Sequence, residues 1–206
     1  MKFMEQQVTH FMSKIPTLQK KAGIKNTLAS ISTVNKSSAP RAKTDKAKEH
    51  LELLQDSIKG MYWVENHLIK SLPKVIYSCH SKELANAISE HLEITKQHLL
   101  RLEKIFTILG ITPIAKKSDG MEGLTKEGEC IIESTNPGTD ARDLGIIMAS
   151  QNVEHYEISA YKGINNLASM LKLKEIAEIV NQTLTEEQNA DNTLSKIADK
   201  IGKKIN

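Results

Sequence analysis

Glu154-His155-Tyr156-Glu157 and Glu186-Glu187-Gln188-Asn189-Ala190-Asp191 are the two stretches on which the reading of this chain turns. Each lies inside a long segment with the apolar spacing of an amphipathic helix. On a helical wheel centred on Glu187, the side chains of Val180, Leu184, Leu194 and Ala198 fall within about 60° of it, and Asp191 lies on the same side. Glu154 and Glu157 likewise share a stripe with Ile146, Ile147, Tyr161 and Ile164. A carboxylate facing a core is costly unless it is paired, protonated or bound to a metal. Carboxylates on several facing helices therefore point to a metal between them.

The composition fits an all-helical protein. The chain has 206 residues, 39% hydrophobic but only 4% aromatic, with few glycines and prolines. That length allows one domain plus a tail. No apolar run approaches the roughly 18 residues that a bilayer span needs, so no membrane is expected. Two cysteines without a CxxC pair exclude a disulfide framework or a zinc site. They fit a reducing compartment, the cytoplasm, with Cys79 and Cys130 as small hydrophobes. The net charge of +3 hides an asymmetry, because residues 1–50 hold ten Lys and Arg against three acids. Residues 1–44 are expected to form a basic, poorly ordered tail, with weak nucleic-acid contact as its only such role. Residues 45–206 are expected to form the folded domain.

The periodicity predicts a first long helix from Thr44 or Asp45 that places Glu65 among Ile58, Tyr62, Leu68 and Leu72, with Pro73 either ending it or kinking it so that helix continues toward Cys79. A second helix begins after Ser81 as N-cap and stops at Gly110. It turns His91, Thr95 and His98 inward, whereas Glu93 points away. A long connection follows, with a short helix from Met121 to about Glu133 that Glu122 opens. Two further helices, 140–171 and 174–203, are joined by a tight turn and must be antiparallel neighbours. Two helices, a crossover and two more helices is the order of a ferritin-like four-helix bundle, here with a short extra helix between helices 2 and 3. Its core carboxylates and imidazoles suit two iron or manganese ions, because bridging carboxylates offset the repulsion between the cations. The usual Glu-x-x-His is missing from both later helices; Glu154-x-x-Glu157 and Glu187 with Asp191 stand instead. The alternative for Glu65 is a rim residue paired with a Lys, and for the acids together a structural polar core in which they pair with Lys and His.

Tyr62-Trp63-Val64-Glu65-Asn66-His67-Leu68, His91-Leu92-Glu93-Ile94-Thr95, Met121-Glu122-Gly123-Leu124, residues 153–161 and residues 186–191 together resemble the YciF-type ferritin-like stress proteins. The resemblance spans roughly residues 45–200. It implies a rubrerythrin-like bundle, a di-metal centre and a homodimer, but no defined reaction. Carried onto this chain, it makes Glu65, His91, Glu154, Glu157, Glu187 and Asp191 the candidate metal ligands. Glu122, Thr95, His98 and Tyr161 are candidates for extra or supporting roles, and His155 for a supporting or interface role. His10, His50, His67 and His80 read as surface residues. Three functions remain open at this point: an oxidoreductase that reduces peroxide or oxygen under stress, a metal-binding protein without turnover, and a structural protein with a metal-free polar core.

Overall fold

A computed structural model describes residues 45–203; the basic segment 1–44 lies outside the described residues. Among the described residues the chain forms five helices: α1 (Asp45–Ser78), α2 (Lys82–Leu109), α3 (Asp119–Ser134), α4 (Asp140–Met170) and α5 (Lys174–Gly202). The helices α1, α2, α5 and α4 form a ring of four, each packed on the next, and α3 lies against α4 and α1. Glu83 at the start of α2 pairs with Lys200 at the end of α5. Lys104 near the end of α2 pairs with Glu175 at the start of α5. These two helices are therefore antiparallel. The same holds for α1 and α4, because the end of α1 meets Asp143 at the start of α4. The crossover and α3 carry the chain back along the bundle between α2 and α4, which is the ferritin-like path.

The ends of the helices are set by local chemistry. The Ser81 hydroxyl accepts from the Leu84 N–H, and the Ser118 hydroxyl from the Met121 N–H, each satisfying an orphan donor of a first turn. Gly110 closes α2 with φ 67°, its N–H donating to Thr107 and that of Ile111 to Phe106. At the α4–α5 turn the left-handed position is taken by Lys172, φ 59°. Glycine is the usual residue there, since a Cβ crowds that conformation.

Pro73 does not end α1, which runs on to Ser78. The residue faces solvent, and a proline on that side leaves the carbonyl one turn earlier open to water. Leu68 and Leu72, both buried, anchor the core face just before it. Cys130 is exposed and is not a core residue, while Cys79 is half-buried. His67 is also not a simple surface group: it stacks on Trp63 and bonds Thr125 of α3 at 2.8 Å. Where α3 meets α4, Gly145 sits so close to Ile131 that an added Cβ would lie 2.5 Å from its Cγ2.

Asp143, fully buried, clamps the α1–α2 connection. Its two carboxylate oxygens accept from the backbone N–H groups of His80 at 2.7 Å and Ser81 at 2.8 Å. Substituting Asp143 with alanine strands both donors. It is expected to lower unfolding free energy by roughly 2–3 kcal/mol, readable by chemical denaturation. An unchanged denaturation midpoint would show that water replaces the clamp.

Candidate metal centre

Halfway along the bundle, four helices turn polar groups into the core. Glu65 comes from α1, His91 and His98 from α2, Glu154 and Glu157 from α4, and Glu187 from α5. All six are buried, with Glu65, His98, Glu157 and Glu187 at 0% exposure. They fall into two groups whose potential ligand atoms lie within 4.8 Å of one another: His91, Glu154, Glu157 and Glu187, and Glu65, His98 and Glu187. Glu187 belongs to both. A carboxylate has two oxygens, so Glu187 is placed to span two cation positions.

The unpaired atoms carry the chemical argument. Eight buried side-chain polar atoms lack a hydrogen-bond partner among the described residues, and all eight belong to these six side chains. They include both oxygens of Glu157 and both of Glu187. Unpaired buried polar atoms cost about 1–3 kcal/mol each, and native interiors hold few of them. Four carboxylates with two neutral imidazoles balance the charge of two divalent cations. The donor set therefore fits such a pair, and the mix of oxygen and imidazole nitrogen suits iron or manganese.

The two histidines are held differently. His98 Nε2 lies 2.9 Å from Glu186 Oε2, and Glu186 is in turn gripped by Arg101, whose Nη2 donates to Oε1 at 2.9 Å. This leaves Nδ1 facing Glu187 at 2.9 Å and Glu65 at 3.6 Å, without hydrogen-bonding geometry to either. A carboxylate behind the far nitrogen is the usual way to orient a metal-binding imidazole. His91 Nε2 lies 3.4 Å from Glu154 and 3.8 Å from Glu187. Tyr161, also buried, donates its hydroxyl to Glu65 Oε1 and leaves Oε2 unpaired.

Burial drives Glu154 and Glu157 well above the ordinary carboxylate value of 4.5, and the neighbouring Glu187 adds to it. Burial also raises Glu65 and lowers His91. Burial pushes Glu187 up as well, but its contacts with His98, His91 and Glu154 together outweigh that and lower it. His98 is likewise pulled down by burial, but Glu187 and Glu65 outweigh that and hold it at about 10. Without a cation, the core is thus balanced by protons and by the charge of His98, which faces Glu187, Glu186 and Glu65.

The remaining residues singled out in the sequence lie elsewhere. Asp191 points into the α4–α5 seam, where it accepts from Gln151 at 2.9 Å and lies 3.3 Å from the exposed His155. It does not join the cluster, because four residues beyond Glu187 the helix has turned about 40° further. Glu122 is on the outside of α3, paired with Lys117 at 2.7 Å and with Lys126. Thr95 is buried, but its hydroxyl donates to the His91 carbonyl one turn back. Glu93 is exposed and paired with Lys96, as its position opposite the stripe requires. The sequence reading missed the support that Glu186 and Arg101 give His98. The only trace of it is that Arg101 follows His98 by three residues and so shares its helix face.

Comparison with known proteins bears on the family and the fold. A family model described as a domain of unknown function (DUF892) matches residues 49–205. Protein YciF of Escherichia coli (strain K12) is 33% identical over 149 residues, covering 72% of this chain and 87% of that protein. The crystal structure of the E. coli stress protein YciF superposes with a TM-score of 0.72 at 29% identity, covering 79% of this chain and 99% of that one. YcfI from Rhodopseudomonas palustris gives a TM-score of 0.68 at 30% identity, over 71% of this chain and 92% of that chain.

Proposed function

The chain belongs to the YciF-type family matched by the domain of unknown function DUF892, and on that premise we propose that it is a stress protein whose core binds two iron or manganese ions and reacts them with a small oxidant. The observation that carries the reading is the set of eight unpaired polar atoms confined to six converging side chains. Hydrogen bonds among the described residues do not satisfy these atoms, whereas two cations would give most of them a partner. When bound, the two cations supply Lewis-acid and one-electron redox chemistry toward peroxide or oxygen. The protein's part is to hold them. Glu187, common to both groups, would serve both positions, Glu154, Glu157 and His91 would hold one cation, and Glu65 and His98 would hold the other. Glu186 fixes the His98 ring, and Tyr161 fixes the Glu65 carboxylate.

Elemental analysis after gentle purification tests this directly. About two iron or manganese ions per chain are expected, and ferrous loading should give an oxygen-dependent absorbance. Two ions without that absorbance would favour binding without turnover. A chain that stays empty after anaerobic loading with either metal would overturn the reading.

Two further elements of the proposal concern setting. The free thiols of Cys79 and Cys130 suit a reducing cytoplasm. Homodimerisation has support in the α1–α4 face, where the exposed Leu53 borders a groove floored by Gly60 and Gly163. Light scattering at twice the chain mass tests it.

Proton linkage gives the centre a pH signature. Glu65, Glu154 and Glu157 have folded values raised above 4.5, so their contribution to stability is full below 4.5 and lost as pH rises through the raised values. His98 contributes fully below 6.5 and loses that contribution progressively as pH rises from there through its raised value of about 10. Glu187, lowered, acts oppositely and loses its contribution on acidification. In chelator, the melting temperature of the metal-free protein is expected to fall from pH 5 to pH 8 relative to a Glu154→Gln/Glu157→Gln double variant. Metal affinity should rise over the same range, because cations displace those protons. Parallel pH profiles for the two proteins would refute the assignment.

A further inference from the structure

The two-metal reading leaves one cavity without a task. It has a volume of about 220 Å³ and draws its walls from all five helices, in the half of the bundle that holds the α1–α2 connection. Most of the wall is apolar, from residues such as Leu68 and Leu72 of α1, Ile88 of α2, Ile132 of α3, Ile146 of α4 and Leu194 of α5. At its inner end it reaches His91 and Glu154, the only members of the buried cluster that line it, and each of these carries an unpaired polar atom. Polar side chains such as Lys74, Glu129 and Asn189, all exposed, also border it.

Size and lining bear on what the cavity holds. Peroxide or oxygen needs little more room than one water molecule, whose share of liquid volume is about 30 Å³. An apolar cavity of about 150 Å³ stays dry and takes a benzene ring. Scaled in proportion, this one has room for about nine non-hydrogen atoms. A concave, mainly apolar pocket with a few convergent polar groups is the usual form of a small-molecule site. A path for water or ions would be lined by polar groups instead.

The geometry points to a binding site for an apolar organic molecule of about nine non-hydrogen atoms, with its polar end at His91 and Glu154 and its hydrocarbon body among the side chains of all five helices. As the substrate class of the metal centre, this rests on the reading above. As a binding site it stands on the cavity alone.

The probe is 1-octanol, titrated calorimetrically into the full chain without metal and with manganese(II). One octanol per chain is expected, with a negative heat-capacity change from apolar burial. Ala87→Leu and Ala190→Leu, on different helices and both lining the cavity, are each expected to weaken binding at least tenfold. Circular dichroism and metal content should stay unchanged in both, and two independent variants guard against one that fails to fold. In the manganese-loaded protein, paramagnetic broadening should be strongest at the hydroxyl-bearing carbon of octanol.

The inference is overturned if the wild type gives no octanol binding up to the solubility limit, or if both filled variants bind as the wild type does. Broadening strongest at the methyl end would overturn the placement of the polar end. The two readings separate on the same samples. Octanol bound by a chain that takes up no metal upholds the pocket and removes the centre. Metal without octanol removes the pocket and leaves the centre standing.

Discussion

Glu187→Ala is expected to abolish both metal positions at once, while Glu65→Ala and Glu157→Ala should each leave about one ion per chain. The difference follows from membership: Glu187 belongs to both ligand groups, Glu65 to one and Glu157 to the other. Two dications a few ångströms apart repel by on the order of 10 kcal/mol, even with protein screening. A carboxylate between them offsets that repulsion for both, so its loss affects the pair rather than one member. Affinity should fall by roughly 100-fold or more at each position, above the 10–100-fold typical when only an orienting partner is removed. Titration of the metal-free variants with manganese(II), followed by elemental analysis, reads the stoichiometry. Retention of one ion by Glu187→Ala would show that the two groups do not share a bridge.

The second large effect has the opposite sign to most core substitutions. Glu154→Leu combined with Glu157→Met should make the metal-free protein more stable, by roughly 1–4 kcal/mol. Both carboxyls are buried, three of their four oxygens have no partner, and burial has already pushed both toward the neutral acid. Replacing them with apolar groups of similar volume removes a desolvation penalty and leaves the Tyr161–Glu65 contact in place. For a chain of this length that corresponds to a melting temperature higher by about 2–4 °C per kcal/mol. The same variant should lose the His91-side cation. A gain in stability that accompanies a loss of function is the mark of a site held against the preference of the fold. If the variant melts lower than the metal-free wild type, the carboxyls contribute packing or bonds that outweigh their burial.

The stripe pattern carries most of this centre because a four-helix bundle has one axis, and a helix can show that axis only one narrow face. Glu65, Glu154, Glu157 and Glu187 stand where Leu or Ile would stand, and the structure buries all four. His91 and His98, seven residues apart on α2, lie within about 20° of each other on the wheel, so the pattern places them together. Sequence reasoning puts His91 ahead of His98 as a ligand, yet His98 proves the more completely enclosed and faces both Glu65 and Glu187. Asp191 shows the limit of angular reasoning. A deviation of about 40° separates the bundle axis from the seam between two helices. Glu186 and Arg101 show another limit, since the grip of α5 on the His98 ring depends on how two helices face each other. Ser81 and Gly110 made the ends of α2 legible, whereas the cap Ser118 went unread and α3 begins at Asp119 rather than Met121. Pro73 left two readings open, an end or a continuation toward Cys79, because the cost of a proline depends on whether water can reach the carbonyl it frees.

The six donors divide evenly along the chain: Glu65, His91 and His98 precede the crossover, and Glu154, Glu157 and Glu187 follow it. Each antiparallel hairpin alone therefore carries an incomplete set, and no cation position is finished within either one. The segment between the hairpins, residues 110–139 with α3 inside it, joins them covalently but supplies none of the donors. A bound cation would be a second tie between the hairpins, at mid-height and across the bundle axis. Nicking the backbone in the crossover would then leave two fragments whose reassociation depends on metal, as an assembly of two half-proteins around a shared ionic core.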